Sequence, residues 1–212
     1  MHIVIKATDL QKEEFLLKGV PADVRVSFLN EGEMITDADA YFDLCFEEEG
    51  LAFAKIKDKP VFVNAVMATS NELPVNCIRI NAWNGFLKRQ IVEIFATDLP
   101  AGRQGSRIST DAELILQTLN WKYQLVPDIP GMISARVIAM IVNEAYFGLG
   151  DEISSKTDID IAMKLGTNYP YGPFEWSEKI GLQKIYALLK KLAEKDTRYA
   201  VAPALEKEIK TI

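Results

Sequence analysis

The sequence predicts a small, largely parallel α/β sheet followed by an all-helical part. Two observations lead to this prediction. Up to about residue 125, short apolar runs rich in β-branched residues alternate with a few helical segments. After Val126-Pro127-Asp128 the apolar residues recur at helical spacing instead. We therefore predict two domains, residues 1–125 and residues 126–212.

The strands of the first domain are predicted from these apolar runs, at 2–6, 24–28, 40–46, 60–66, 77–81, 91–96 and 123–126. Helices are predicted at 9–18, in a short piece from Leu51 to Lys57, and at 111–120, with Asp9 and Asp111 as caps. Because helices cross over between some of the strands, the sheet should be mostly parallel.

The second domain begins with a segment from Gly131 to Phe147 that is apolar almost all the way round. A helix of this kind is buried in a core or in a subunit interface. The next helix should begin at Thr157, which has an acidic residue three positions later, and should end at Gly166. Pro173 and Pro203 fit the first turns of later helices, where the missing N–H is not needed.

Composition limits the classes of function. The formal net charge is −6, and no run of Lys and Arg suggests nucleic-acid binding. No apolar stretch reaches membrane-spanning length, and the start of the chain is too short to be a signal peptide. Cys45 and Cys77 lie in separate apolar strands without metal-ligand spacing, so we expect buried free thiols, no metal and a cytoplasmic setting.

A series of short motifs lies between Val126 and about Glu206. The motifs are Asp128-x-Pro130-Gly131, Asn143-Glu144-Ala145, Asp158-Ile159-Asp160-x-Ala162-Met163-Lys164-x-Gly166, Tyr169-Pro170-x-Gly172-Pro173-Phe174 and Ile180-Gly181-Leu182. Most of their residues shape turns, cap helices or fill the core. Each motif is weak alone, but in their order and spacing they specifically resemble the helical domain of the 3-hydroxyacyl-CoA dehydrogenases.

The first half resembles the same family more thinly. The segment 81–93 aligns without gaps with the family segment that runs from His-Phe-Phe-Asn-Pro to Leu-Val-Glu. Residues 59–64 are similar to the strand that leads to the family's Asn-Thr-Ser, and residues 39–43 to the strand at the edge of the cofactor crevice. The resemblance implies a reduced Rossmann-like domain, followed by a helical domain of the 3-hydroxyacyl-CoA dehydrogenase C-terminal type.

The family binds NAD at a Gly-x-Gly-x-x-Gly loop between the first strand and the first helix. Glycine lets the backbone approach the pyrophosphate, whose charge meets the helix N-terminus. Here the corresponding segment, Ala7 to Glu14, contains no glycine and carries Asp9, Glu13 and Glu14. We therefore expect no cofactor, and NAD is implied by the resemblance only.

The family's catalytic His is oriented by a Glu, and the resemblance places Glu93 at the Glu position and Asn81 at the His position. An amide does not titrate near neutral pH, so Asn81 cannot act as a general base. Asn64 is followed by Ala65-Val66 where the family has Thr-Ser, and Ala135 replaces a family Asn. The single His of the chain, His2, stands at the head of the first strand and is a poor substitute.

Three hypotheses follow from these residues. The leading one is a 3-hydroxyacyl-CoA dehydrogenase-like protein of fatty acid metabolism that lacks standard NAD-dependent activity and retains acyl-CoA or partner binding. The second is an active NAD-dependent oxidoreductase that uses altered residues or is completed by another chain. The third is a structural oligomerisation module.

Two further expectations concern binding. We expect a homodimer through the helical domain, which the resemblance implies and the apolar segment 131–147 supports. The segment Gly102-Arg103-Gln104-Gly105-Ser106-Arg107 offers two cations to a CoA phosphate, but a flexible surface insertion is the better interpretation.

Overall fold

The computed structural model describes residues 1–30, 33–96 and 107–211. Contacts divide the chain into two compact units, Met1–Met132 and Ile133–Ile212. Residues 126–132 thus belong to the first unit, whereas the sequence predicts the change of domain at about residue 125. The glycine-rich stretch 102–106, considered above for a CoA phosphate, lies outside the described residues.

The first unit contains one seven-stranded sheet with the order β2-β1-β3-β4-β5-β6-β7. Its strands are β1 His2–Lys6, β2 Arg25–Phe28, β3 Ala40–Asp43, β4 Val61–Asn64, β5 Cys77–Ile80, β6 Ile91–Phe95 and β7 Lys122–Leu125. Only β5 and β6 pair antiparallel, so the predicted mostly parallel sheet is confirmed. Because β2 and β3 lie on opposite sides of β1, the winding reverses there and leaves a crevice beyond the carboxyl ends of β1 and β3.

Helices α1 (Asp9–Leu17) and α3 (Thr110–Thr118) cover one face of this sheet. Phe15 of α1 meets Phe42 of β3 edge-on, with ring centroids 5.5 Å apart. Phe42 in turn stacks on Phe62 of β4, with centroids 4.6 Å apart. The buried rings form one apolar cluster with Leu116 of α3, and this cluster fixes both helices to the sheet.

Among the described residues, none forms a long helix on the opposite face of the sheet, and the prediction of a helix from Leu51 to Lys57 is wrong. This segment forms turns that place Phe53 and Ile56 against the sheet. A single helical turn, α2 (Phe46–Glu49), precedes it and ends at Gly50, whose φ of +78° favours glycine. The backbone N–H of Ala52 then bonds to Asp43 instead of continuing a helix.

Hydroxyl side chains cap the helices one or two residues before the predicted acidic caps. Thr8, and not Asp9, accepts the N–H of Gln11 at the start of α1. Ser109, and not Asp111, caps α3. In both helices the acidic residue lies in the first turn, where its negative charge interacts favourably with the helix dipole.

The second unit consists of helices α4 Ser134–Gly150, α5 Lys156–Thr167, α6 Pro173–Ile180, α7 Leu182–Ala193 and α8 Pro203–Ile209. The long apolar helix α4 lies at its centre and packs against α6, α7 and α8. Ser155 caps α5, and Asn168 ends it with a φ of +54°. The predicted limits, Thr157 and Gly166, therefore both lie inside the helix.

Two polar side chains of α4 form hydrogen bonds within the unit. Asn143 donates to the carbonyl of Ala200 and accepts the N–H of Ala202, each at 2.9 Å. Arg136 donates to the hydroxyl of Tyr199 at 3.1 Å. These bonds fix the segment before α8 to the central helix. Nowhere in the described part of the chain is a helix long and apolar enough to cross a membrane.

Candidate functional site at the carboxyl edge of the sheet

Asn81 and Glu93 face each other where β5 ends beside β6. The side-chain nitrogen Nδ2 of Asn81 donates to Oε2 of Glu93 at 3.3 Å, and their backbones bond at 3.1 Å. Both side chains are buried, with 2% and 8% of their surface exposed. The resemblance aligns these two residues with the family's His and Glu, and the structure contains a buried amide–carboxylate pair in which Asn81 has no titratable proton near neutral pH.

Asn64, the next predicted residue, ends the neighbouring strand β4 and is fully buried. Its side-chain oxygen accepts the N–H of Ala82 at 3.0 Å, and its side-chain nitrogen donates to the carbonyl of Leu44 at 3.1 Å. Asn64 therefore holds together the segments that follow β3 and β5. Ala65 and Val66 come next and bring only apolar side chains to this edge.

Gln11 also belongs to the site, although the sequence did not indicate it. From α1 its side-chain nitrogen donates to the carbonyls of Leu44 at 2.8 Å and Ala82 at 3.4 Å. Its side-chain oxygen accepts the N–H of Thr8 at 3.0 Å and so completes a capping box. The Thr-x-x-Gln spacing was visible in the sequence, whereas the two contacts across the edge depend on the fold.

Glu47 closes the same edge from the other side. Its two carboxylate oxygens accept the N–H of Met67 at 2.6 Å and the ring N–H of Trp83 at 2.7 Å. Trp83 is fully buried, and it follows Asn81 by two residues. Gln11, Glu47, Asn64 and Asn81 thus bond to other protein groups across the edge where substrate and cofactor chemistry would take place.

Burial raises the pKa of two further groups at this edge. Burial raises the pKa of Asp43 to about 6, against the N–H of Ala52 and the positive charge of Lys6, which favour its ionised form. Burial likewise raises the pKa of the Cys45 thiol to about 11. Cys45 is therefore a thiol at neutral pH and not a nucleophilic thiolate.

The remaining predicted residues lie elsewhere. His2 lies at the amino end of β1, the opposite edge of the sheet, where its ring contacts the hydroxyl of Ser27 at 2.9 Å. It cannot replace the missing base at Asn81. Ala135 is fully buried in α4 of the second unit. In the ranges 1–30, 33–96 and 107–211, no cluster of three His, Cys, Asp or Glu residues could hold a metal ion.

A nicotinamide dinucleotide, which the resemblance implies, does not fit the start of α1. Only Ala7 and Thr8 separate β1 from this helix, so there is no wide loop for a pyrophosphate. Thr8 already accepts the N–H of Gln11, and the Gln11 side chain covers the carboxyl ends of the strands. Asp9, whose carboxylate is 98% exposed, places a negative charge at the helix N-terminus.

Comparisons with known proteins agree with the resemblance. Residues 131–211 match the family model described as 3-hydroxyacyl-CoA dehydrogenase, C-terminal domain. A 3-hydroxybutyryl-CoA dehydrogenase of Clostridioides difficile is 30% identical over 147 residues, which cover 68% of this chain and 50% of that protein. A 3-hydroxyadipyl-CoA dehydrogenase of Escherichia coli is 49% identical over 67 residues, or 32% of this chain and 14% of that protein. The chain thus spans half or less of these curated relatives.

Solved structures show the same fold. The (S)-3-hydroxybutyryl-CoA dehydrogenase PaaH1 of Ralstonia eutropha superposes with a TM-score of 0.71 at 16% identity, over 99% of this chain and 93% of that one. The fold defines a protein with a Rossmann-like sheet unit and a helical unit of the dehydrogenase C-terminal type. The chain belongs to the 3-hydroxyacyl-CoA dehydrogenase family.

Proposed function

We propose that this protein binds an acyl-CoA thioester in fatty acid metabolism without oxidising it with NAD. The observation that carries the proposal is the buried pair of Asn81 and Glu93. The resemblance aligns this pair with the family's base and the residue that orients it. General-base catalysis contributes about a hundred- to ten-thousandfold to a rate, and an amide supplies none of it.

The start of α1 gives a second argument against NAD-dependent oxidation, separate from the pair of Asn81 and Glu93. The helix N-terminus is capped by Thr8, is flanked by the exposed Asp9 and has no glycine through which a pyrophosphate could approach. Because base and cofactor seat are both replaced, restoring one of them should not restore the reaction. Acyl-CoA binding comes into the proposal from the relatives, whose names describe 3-hydroxybutyryl-CoA and 3-hydroxyadipyl-CoA dehydrogenases.

The test measures turnover and binding on the same preparation. NADH formation from 3-hydroxybutyryl-CoA and NAD is followed by absorbance, and binding of NAD and of 3-hydroxybutyryl-CoA by calorimetry. We expect no NADH above background, no heat with NAD, and saturable binding of the thioester. Turnover by the unmodified protein would support an active enzyme instead. If the protein bound neither NAD nor the thioester, a structural module would be supported.

Asn81→His separates the two losses. Glu93 would be in place to orient the new imidazole, but the cofactor would still have no seat, so activity should stay at background. Asn81→Ala serves as the matched control, since it removes the amide that donates to Glu93 and supplies no base in its place. Robust NAD-dependent turnover by Asn81→His alone would mean that the cofactor site is intact, and the proposal would be wrong.

We also propose that the second unit forms a homodimer. Ile133 and Val137, one turn apart at the start of α4, are 41% and 50% exposed. Ile161 and Leu165 form a second apolar stripe on α5, with 46% and 82% exposure. Exposed apolar stripes of this kind are typical of subunit interfaces. The cytoplasmic setting that we propose rests on the free, buried Cys45 and Cys77.

Sedimentation at micromolar concentration tests the dimer. The native protein should sediment as a dimer, and Val137→Glu should shift it toward monomer by burying a charge in the contact. Val75→Glu is the matched control, because Val75 is 87% exposed but lies in the first unit. A native monomer, or equal effects of the two substitutions, would contradict this interface.

A further inference from the structure

Asp43, at the end of β3, is a buried carboxylate that has no part in the proposed function. Its side chain is fully buried, and its Oδ1 has no hydrogen-bond partner among residues 1–30, 33–96 and 107–211. Its Oδ2 accepts the backbone N–H of Ala52 at 2.7 Å. A charge buried in this way destabilises the closed structure, and contact with water relieves the cost. Ionised Asp43 therefore favours a rearrangement that lets water reach it.

The groups around Asp43 compensate its charge only in part. Lys6 lies beside it in the register of β1 and β3, but the Lys6 ammonium also forms an ion pair with Glu49 of α2 at 2.7 Å. Burial, and to a smaller extent the charge of Glu49, raises the pKa of Asp43 to about 6, against Lys6 and two backbone N–H groups. Asp43 also interacts with the thiols of Cys45 and Cys77, whose pKa burial raises to about 11, so both are uncharged near neutral pH. Asp43 is therefore the group of this cluster that changes its charge near pH 6.

The chain that follows Asp43 is a short segment with weak joints at both ends. We call residues 46–52 the α2 segment, which comprises the single turn α2 and the bend that returns to Asp43. In the described part of the chain the side chain of Cys45 forms no cap bond to α2. Gly50 ends the turn with a φ of +78°, and a Cβ there would meet open space. Because a helix of four residues is not stable alone, side-chain contacts decide whether the segment stays closed.

The α2 segment closes on the carboxyl edge of the sheet through Glu47. The two carboxylate oxygens of Glu47 accept the N–H of Met67 at 2.6 Å and the ring N–H of Trp83 at 2.7 Å. Trp83 follows Asn81 by two residues, so these bonds lie next to the candidate site. Opening of the segment would break both bonds of Glu47 together with the bond of Ala52, and would let water reach the strand ends.

We propose that the α2 segment is a pH-controlled lid on the carboxyl edge, which is closed while Asp43 is protonated and opens more often once Asp43 is ionised. The sign follows from solvation. In the open form the carboxyl group meets water and has its ordinary pKa of 3.8, whereas in the closed form the pKa is about 6. The ratio of open to closed molecules should therefore rise roughly tenfold between pH 5 and pH 7.5 and then level off. The inference goes beyond the proposed function, because the lid opens without acyl-CoA.

Hydrogen exchange of the unliganded protein, followed by NMR, tests the lid. The reporters are the backbone N–H groups of Ala52 and Met67 and the ring N–H of Trp83. Their protection factors, corrected for the exchange rate of free amides and free indole at each pH, should all fall roughly tenfold from pH 5 to pH 7.5. Low concentrations of urea should leave them unchanged, because the opening is local, whereas urea should reduce the protection of Val63 in β4. If the reporters followed urea as Val63 does, the opening would be global unfolding and the lid would not exist.

Asp43→Asn is the decisive variant, because the amide oxygen can still accept the N–H of Ala52 but the side chain carries no charge. The protection of all three reporters should then be independent of pH. Asp58→Asn makes the same change at an exposed residue of the first unit and should keep the tenfold fall of the native protein. An unchanged pH dependence in Asp43→Asn would overturn the proposal. A fall at Ala52 without a parallel fall at Met67 and Trp83 would also overturn it, since only a local turn would then be loosened.

Discussion

The helical unit and the sheet unit resemble the 3-hydroxyacyl-CoA dehydrogenases in different ways. The helical unit shares the family's sequence motifs, whereas the sheet unit shares the fold and differs in the residues at its strand ends. In the helical unit the residues of the family motifs perform structural tasks. Asp160 accepts the N–H groups of Phe174 and Glu175, and Asn143 bridges two backbone groups before α8. These tasks are needed whether or not the protein catalyses a reaction.

The sheet unit has kept its strands and exchanged the residues that would meet ligands. Asn81, which the resemblance aligns with the family base, bonds to Glu93, and Gln11 and Glu47 bond across the carboxyl edge. This difference shows that the fold depends on buried strands and helix caps. The polar residues at the strand ends can therefore differ without loss of the fold. Substitutions in the two units should therefore have distinct and separable effects.

The largest effect is expected from Arg79→Met in the sheet unit. Arg79 is fully buried, forms an ion pair with Asp128 and donates to the carbonyls of Ala65, Val66 and Ile129. Burial lowers its pKa and the charge of Asp128 opposes this shift. Removing one partner of such a pair should cost about 3–5 kcal/mol of unfolding free energy, measured by urea denaturation.

Lys12→Met is the control for this prediction, because its ion pair with Asp9 lies at the surface. Surface pairs contribute about 0–1 kcal/mol. If Arg79→Met and Lys12→Met cost the same, the buried contacts of Arg79 would not hold the segment 126–132 to the sheet.

Asp43→Asn should stabilise the protein in a pH-dependent way. The pKa of Asp43 is about 6 in the folded protein and 3.8 in the reference state, so the folded protein retains the proton to higher pH. Ionised Asp43 therefore costs stability above pH 6, and this cost disappears below about pH 4. The gain from Asp43→Asn should grow from near zero at pH 4 to about 2–3 kcal/mol at pH 7. Thermal unfolding at several pH values measures it, and a gain that is constant with pH would contradict the assignment.

Gln11→Ala and Gln11→Glu test the side chain that spans the carboxyl edge. Both substitutions remove the donor to Leu44 and Ala82, which should cost about 1–3 kcal/mol. Glu keeps the capping-box acceptor for the N–H of Thr8, whereas Ala loses it. If Gln11→Glu behaves like the native protein in denaturant, the contacts across the edge contribute nothing and only the cap matters.

The smallest effects are expected from two glycines of the helical unit. A Cβ at Gly172 would overlap the side chain of Asp160, so Gly172→Ala should displace this cap and cost about 1–2 kcal/mol. Gly166 lies inside α5 with open space around it, so Gly166→Ala should stabilise by about 0.5–1 kcal/mol. Calorimetric melting of both variants measures the two changes in stability. If Gly172→Ala stabilised the protein as Gly166→Ala does, the close approach of Gly172 to Asp160 would not matter for stability.

Local patterns predicted much of the fold. The seven strands begin and end within a few residues of their predicted limits, because β-branched apolar runs report burial directly. The segment from Leu51 to Lys57 was wrongly predicted as a helix, because Phe53 and Ile56 have the spacing of neighbours on a helix face. In the structure, turns place both side chains against the sheet. The deciding interaction, the N–H of Ala52 with Asp43, joins residues from different elements.

By itself the sequence determined the order of the elements, the absence of a glycine from residues 7–14 and the presence of an amide at position 81. Each of these depends on residue type and near neighbours, which a sequence states directly. Only the tertiary structure decided that Gln11 reaches Ala82, 71 residues away, and that Glu47 bonds to Trp83. Such contacts depend on where strands end relative to one another, and strand order and register are set by packing over the whole sheet.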